Sequence, residues 1–91
     1  MIVYIAGPMS GCDSHNRVAF NTKENELTQK GRVILNPAIL PDGLTHEQYM
    51  GICLAMVDVA DAIYMMSGWE ESKGAKAELL RAVESGKTVM G

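Results

Sequence analysis

Apolar residues gather into four short runs, separated by longer stretches of mixed polarity. The first, Ile2-Val3-Tyr4-Ile5-Ala6, is rich in β-branched and aromatic residues and is ended by Gly7-Pro8, which predicts a buried strand. Val33-Ile34-Leu35, closed by Asn36-Pro37, predicts a second strand. Ala62-Ile63-Tyr64-Met65-Met66, closed by Ser67-Gly68, predicts a third, and Thr88-Val89-Met90 a short fourth. Between these runs the spacing becomes helical. Val18, Ala19, Phe20 and Leu27 place a helix over 16–30, with Gly31 as its stop. Thr45 and Gln48 form a capping-box pair, and Met50, Cys53, Leu54, Val57 and Ala60 recur behind it at helical spacing. Ser72 is the expected N-cap of a last helix running to Ser85 and stopped by Gly86. Its buried stripe reads Ala75, Leu79, Ala82 and Val83, with Glu78 at the edge.

The resulting order, β-α-β-α-β-α-β, predicts a single α/β domain over 1–91. It is a minimal doubly wound (flavodoxin-like or Rossmann-like) fold, a four-stranded parallel sheet with helices on both faces. Continuous apolar strands suit a sheet covered on both sides. In such folds the ligand site lies beyond the carboxyl ends of the strands. That rule selects the loops from Gly7 to Asn16, from Asn36 to Leu44 and from Ser67 to Gly74.

Composition narrows the chemistry. With 91 residues, 47% of them hydrophobic, there is room for one core and no separate cofactor domain. A formal charge of −3 argues against a nucleic-acid partner. No apolar run reaches the ~20 residues that span a bilayer, and no basic segment precedes Ile2, so neither a membrane partner nor a signal peptide is expected. The two cysteines, Cys12 and Cys53, match no disulfide framework or zinc spacing, which points to a reducing cytoplasmic setting with no metal and no cofactor.

Each candidate loop has a bland and a functional reading. Gly7-Pro8-Met9-Ser10-Gly11 is either a tight strand-to-helix turn or a place where backbone N–H groups meet an anion or sugar. Ser72 and Gly74 open a helix, where unpaired N–H groups favour an anion, although Ser72 also serves as a plain cap. Trp69 offers a stacking surface for a base, or an anchor against another subunit. Asp61 stands at the start of the third strand, away from the carboxyl-end crevice, where a capping or turn role is ordinary. Glu78 lies one turn into a helix that opens at the crevice, so it either points into the site or extends to water. His15 and His46 fall in loops far apart in sequence, Cys53 reads as a buried thiol, and the methionines read as fillers of core or interface gaps.

Three motifs in order carry a family resemblance: Tyr4-Ile5-Ala6-Gly7-Pro8-Met9-Ser10-Gly11, Ala60-Asp61-Ala62, and Ser72-x-Gly74-x-x-x-Glu78 followed by Ala82. Together they resemble the nucleoside 2-deoxyribosyltransferase superfamily, which includes the deoxyribonucleoside 5′-monophosphate N-glycosidases. Asn16, Ala19-Phe20, Asn36-Pro37-Ala38 and Gly68-Trp69-Glu70-x-Ser72-x-Gly74-Ala75 extend the likeness to its short, mostly phage- and prophage-encoded members, whose function is unassigned. The resemblance implies cleavage or transfer at the N-glycosidic bond of a (deoxy)nucleoside or its 5′-monophosphate. It assigns the nucleophile to Glu78, its orienting hydrogen bond to Tyr4, and contact with the sugar hydroxyls and protonation of the leaving base to Asp61. Ser72 and Gly74 match phosphate contacts, while Ser10 replaces an arginine and so bears on the strength of phosphate binding. The chain lacks the C-terminal segment that closes a neighbouring subunit's site in the transferases, so a homodimer or larger assembly is expected. A second function fits the same crevice: a non-catalytic protein that binds and sequesters a nucleotide or an ADP-ribose-like signal.

Overall fold

A computed structural model describes residues 1–9 and 11–91. Strands β1 (Ile2–Ala6), β2 (Val33–Leu35), β3 (Ala62–Met65) and β4 (Thr88–Met90) form one all-parallel sheet in the order β2-β1-β3-β4. Helices α1 (Arg17–Thr28), α2 (His46–Val59) and α3 (Lys73–Glu84) connect successive strands. The chain therefore has the doubly wound α/β fold that its alternation predicts.

Strand alternation divides the core in two. Tyr4, Ala6, Ile63 and Met65 face α2 and α3, where they pack with Cys53, Val57, Ala75 and Ala82. Val3, Ile5 and Ala62 point the other way, onto Phe20 and Leu27 of α1. Fully burying one such side chain is worth roughly 1.5–3 kcal/mol, so these two clusters dominate the stability of the domain.

The predicted ends hold closely. Thr45 Oγ1 accepts from Gln48 N–H at 3.1 Å and Gln48 Oε1 accepts from Thr45 N–H at 3.0 Å, which completes the capping box. Ser72 Oγ caps α3 by accepting from Ala75 N–H at 3.1 Å. Asn36 ends β2 as a buried amide, accepting from Ala38 N–H at 2.8 Å and donating to Asn21 and Glu24 of α1.

Three apolar assignments need correction. Val18 is 77% and Val83 56% exposed, because each lies off the arc of its helix that meets the sheet, and Val33, expected in a buried strand, is 60% exposed because β2 is an edge strand. On α3 the buried positions are Ala75, Glu78 and Ala82, at spacings of three and four, so Glu78 occupies the middle of the stripe rather than its margin. The two flanking alanines are small enough to let the helix lie close to β1 and β3 with a carboxylate between them.

The chain leaves β1 toward β2 on one side and later returns to place β3 on the other. That reversal opens a crevice at the carboxyl ends of β1 and β3. Before α1, Ser14, His15 and Asn16 have φ of 49°, 55° and 62°, three consecutive left-handed residues without a glycine among them. Asn16 Nδ2 ties this turn to the crevice by donating to Pro8 O at 3.0 Å. Among the described residues, no helix is long and apolar enough to cross a membrane.

Candidate functional site

The floor of the crevice is a single hydrogen bond. Tyr4 Oη, rising from the middle of β1, donates to Glu78 Oε2 at 2.8 Å, and both side chains are buried. Strand polarity and the three-four spacing of α3 meet at this point: β1 aims Tyr4 at the α2–α3 layer, and α3 lays Glu78 across it. Glu78 is only 4% exposed. Burial pushes its carboxyl up to about 7, while the hydrogen bond from Tyr4, and more weakly the nearby Cys53 thiol, pull it back toward the ionised form. Burial and the neighbouring Glu78 charge hold the Tyr4 phenol far above its usual range, so it stays protonated as a donor. A carboxylate of this kind, dry and half-ionised near neutrality, can attack an electron-poor carbon or move a proton.

A cavity of about 530 Å³ stands over this pair, within the size range of small-molecule sites. Gly7, Pro8 and Met9 line it from the end of β1, and Ser72 and Gly74 from the start of α3. Ser72 Oγ is engaged as the helix cap, which leaves its lone-pair capacity shared between Ala75 N–H and anything entering the crevice. A Cβ on Gly74 would stand 3.3 Å from Met50 Sδ, so glycine there keeps α2 and α3 close at the rim. At Gly7 a Cβ would meet Met66 Cβ at 3.0 Å, and packing against β3 is what requires the small residue.

Other expected site residues lie elsewhere. Asp61 is exposed at the amino-terminal end of the sheet, where its Oδ2 accepts from Ile2 N–H at 2.8 Å. It does not line the crevice, so the structure does not bring it to Glu78: Asp61 stands before β3 at the amino end of the sheet, whereas Glu78 lies under the carboxyl-end crevice. Trp69 sits in a 3-10 turn (Trp69–Glu71), packs half-buried against the Tyr4 cluster and does not line the cavity. Gly11 is exposed outside it, with φ of 78°. Ser10, the remaining residue of that loop, lies outside the described residues.

The crevice also holds side chains that periodicity did not single out for function. Tyr49 lines it, with Cys53 one turn further along α2 buried beneath in the Tyr4 cluster, and Tyr49 Oη contacts Met9 Sδ across the mouth. His46, the first residue of α2, lines the crevice and also an adjoining cavity of about 260 Å³. His15 lines that second cavity too, so two histidines 31 positions apart share one wall. Arg17 is fixed there by its 2.8 Å bond to Asp42, and this pairing holds the Asp42 carboxyl below its usual range. The signal for Tyr49 and Cys53 was polar chemistry at i and i+4 on an otherwise apolar helix face. Among the described residues, no group of three or more His, Cys, Asp or Glu side chains could hold a metal ion.

Comparison with known proteins supports the fold. The chain is similar in structure to a 2-deoxyribosyltransferase from Leishmania mexicana, with a TM-score of 0.77 and 23% sequence identity. The similarity covers 97% of this chain and 61% of that protein, so the chain spans less than two thirds of its neighbour's length. No curated protein matches the chain. Residues 1–91 match the family described as "Domain of unknown function (DUF4406)", and the chain belongs to that family.

Proposed function

We propose that this domain cleaves or transfers at the N-glycosidic bond of a (deoxy)nucleoside or nucleoside 5′-monophosphate, with Glu78 as the nucleophile. The observation that carries the proposal is the 2.8 Å Tyr4–Glu78 hydrogen bond on the floor of the carboxyl-end crevice. The likeness to a 2-deoxyribosyltransferase supports the reaction class. In this reading Glu78 attacks C1′ on the face opposite the base, the C1′–N bond breaks, and its electron pair leaves with the base, which takes up a proton. Positive charge developing at C1′ is stabilised by the ionised carboxylate, as in glycoside hydrolysis through a covalent intermediate. Water or a second base then displaces Glu78 from C1′; water as acceptor makes the reaction an N-glycosidase, a second base makes it a transferase. Ser72 and Gly74 would hold the 5′ end near the start of α3, and a second copy of the chain would close the open mouth. The two free thiols, Cys12 and Cys53, agree with a reducing, cytoplasmic setting.

The test is incubation with a panel of deoxynucleosides and their 5′-monophosphates, following free base. Base release that disappears in Glu78→Gln is expected; release that survives the substitution would remove the proposal. One observation favours the non-catalytic alternative: Asp61, the acid expected to protonate the base, does not line the crevice. Saturable calorimetric binding with the nucleotide recovered intact would establish that reading instead.

A further inference from the structure

The second cavity, of about 260 Å³, continues the crevice rather than standing apart from it: Met9, His46 and Tyr49 line both. Beyond that shared wall Leu40, Pro41 and Leu44 supply apolar surface, and Thr45 and His15 add hydrogen-bonding groups. The lining is braced. Arg17 Nη2 donates to Asp42 Oδ1 at 2.8 Å and Arg17 Nε to Ala38 O at 3.3 Å, while His15 Nε2 stands 3.4 Å from the same Asp42 oxygen. Apolar walls with a few polar groups suit a flat heteroaromatic ring.

We infer that this cavity receives the nucleobase, and that His46, on the shared wall, is the general acid that protonates the base as it leaves. This deepens the proposed function and rests on it, and it supplies a proton source that Asp61, outside the crevice, does not. The placement follows from the shape of the substrate. In a nucleoside the base on C1′ and the 5′ carbon on C4′ project from the same face of the sugar, on either side of the ring oxygen. Glu78 attacks the opposite face, and the 5′ end lies at Ser72 and Gly74 by the start of α3. The base then lies across the crevice from α3, on the side formed by α2 and the loop after β1. That side opens into the second cavity.

Among the described residues, the titratable groups lining the crevice on that side are Cys12, His46 and Tyr49. Cys12 Sγ donates to Pro8 O at 3.9 Å. Burial holds the Tyr49 phenol above its usual range, and its Oη contacts Met9 Sδ. His46 is exposed and is the first residue of α2, directly after the Thr45 cap, so the capping box fixes its backbone. Histidine is also the side chain most often used to move protons near neutral pH. In the first step an imidazolium N–H gives its proton to the base nitrogen as the C1′–N electron pair leaves with the base and Glu78 bonds to C1′. In hydrolysis, water then enters from the vacated face, gives its hydroxyl to C1′ and its proton to the neutral imidazole, and the bond to Glu78 breaks. Both side chains end as they began.

The experiment has a binding arm and a chemical arm. The chain has two histidines, so His15→Gln and His46→Gln assign their ring signals in proton NMR. Free adenine, guanine, cytosine and thymine are added to the parent in turn. At least one is expected to move both signals; no movement with any of the four overturns the base subsite. In the chemical arm, parent, Glu78→Gln and His46→Gln are followed through a single turnover. The substrates are the four deoxynucleoside 5′-monophosphates and the β-4-nitrophenyl glycoside of 2-deoxyribose 5-phosphate, whose leaving group departs as a stable anion without a proton. His46→Gln is expected to slow base release about 100-fold or more, while nitrophenolate release stays within about threefold of the parent. Equal losses on both kinds of substrate would mean that His46 only shapes the site, and undiminished base release that it moves no proton; either overturns the general-acid role. A parent that releases neither leaving group, or a Glu78→Gln variant that releases both at the parent rate, removes the proposed reaction and the general-acid role with it. Turnover that needs Glu78 and ignores His46 removes the general-acid role alone, and the base titration reads the cavity separately from both.

Discussion

Glu78, on α3, and Asp61, in the turn before β3, are carboxylates at opposite ends of the central strands, and they live in opposite conditions. Asp61, at the amino end, is exposed and spends one oxygen on the Ile2 backbone N–H at 2.8 Å. Glu78, toward the carboxyl end, is buried against Tyr4 and is pushed up to about 7. The first arrangement secures the start of β1 to the turn before β3. The second places a buried carboxylate where a cavity begins. Residue type does not separate these outcomes; strand polarity does, because a parallel sheet with a reversal in strand order has a crevice at one end only.

Replacing Glu78 gives the largest expected effect. In Glu78→Gln, base release should fall on the order of 10³-fold or more, since an amide cannot form the sugar ester. The same variant should also be more stable than its parent at high pH. A carboxyl whose pKa is about 7 when folded, against a reference of 4.5, binds its proton more tightly in the folded state. Stability from this group is therefore greatest below about pH 4.5, declines as pH rises toward 7, and is flat beyond, a total of roughly 3 kcal/mol. Urea unfolding at pH 5 and pH 8 should show that decline in the parent and its loss in Glu78→Gln. An unchanged pH slope would mean that Glu78 is not the buried carboxyl described here.

Tyr4→Phe comes next. It removes a hydrogen bond to a charged group, worth about 1.5–3 kcal/mol, so base release at pH 7 should drop about tenfold to a hundredfold. The loss should shrink at higher pH, because the deprived carboxylate titrates later; an equal loss at every pH would argue for simple misfolding. Asp61→Asn should do least. It weakens one exposed hydrogen bond to the Ile2 N–H, at a cost of about 0.5–1.5 kcal/mol in unfolding, and leaves the rate of base release within about twofold. A collapse of activity in Asp61→Asn with the fold intact would erase the contrast between the two acids.

The sequence made some of this legible and not the rest, for physical reasons. The strands, the Thr45 and Ser72 caps and the Asn36-Pro37 break are local events, written in neighbouring residues. Glu78 could be singled out because it lies one turn into a helix that opens at the crevice, although spacing put it at the edge of the buried stripe and not in its middle, and Tyr4 was named through the family resemblance. The wall formed by His46, Tyr49 and Met50 depends on how far α2 leans over the strand ends, which no local pattern states. Trp69 was expected near a ligand because a loop tryptophan is conspicuous, but the 3-10 turn that carries it folds the ring onto the core. The left-handed run Ser14-His15-Asn16 has no glycine to announce it, and it is what brings His15 to the cavity shared with His46.

The most direct test of the account is to look for the sugar on the protein. Enzyme mixed with a deoxynucleoside 5′-monophosphate, quenched in acid on the timescale of a single turnover and digested, should yield the peptide containing Glu78 carrying one deoxyribosyl phosphate, with an equal amount of base released. Base released at every quench time with that peptide unmodified, or the sugar found on another residue, would contradict a nucleophilic Glu78.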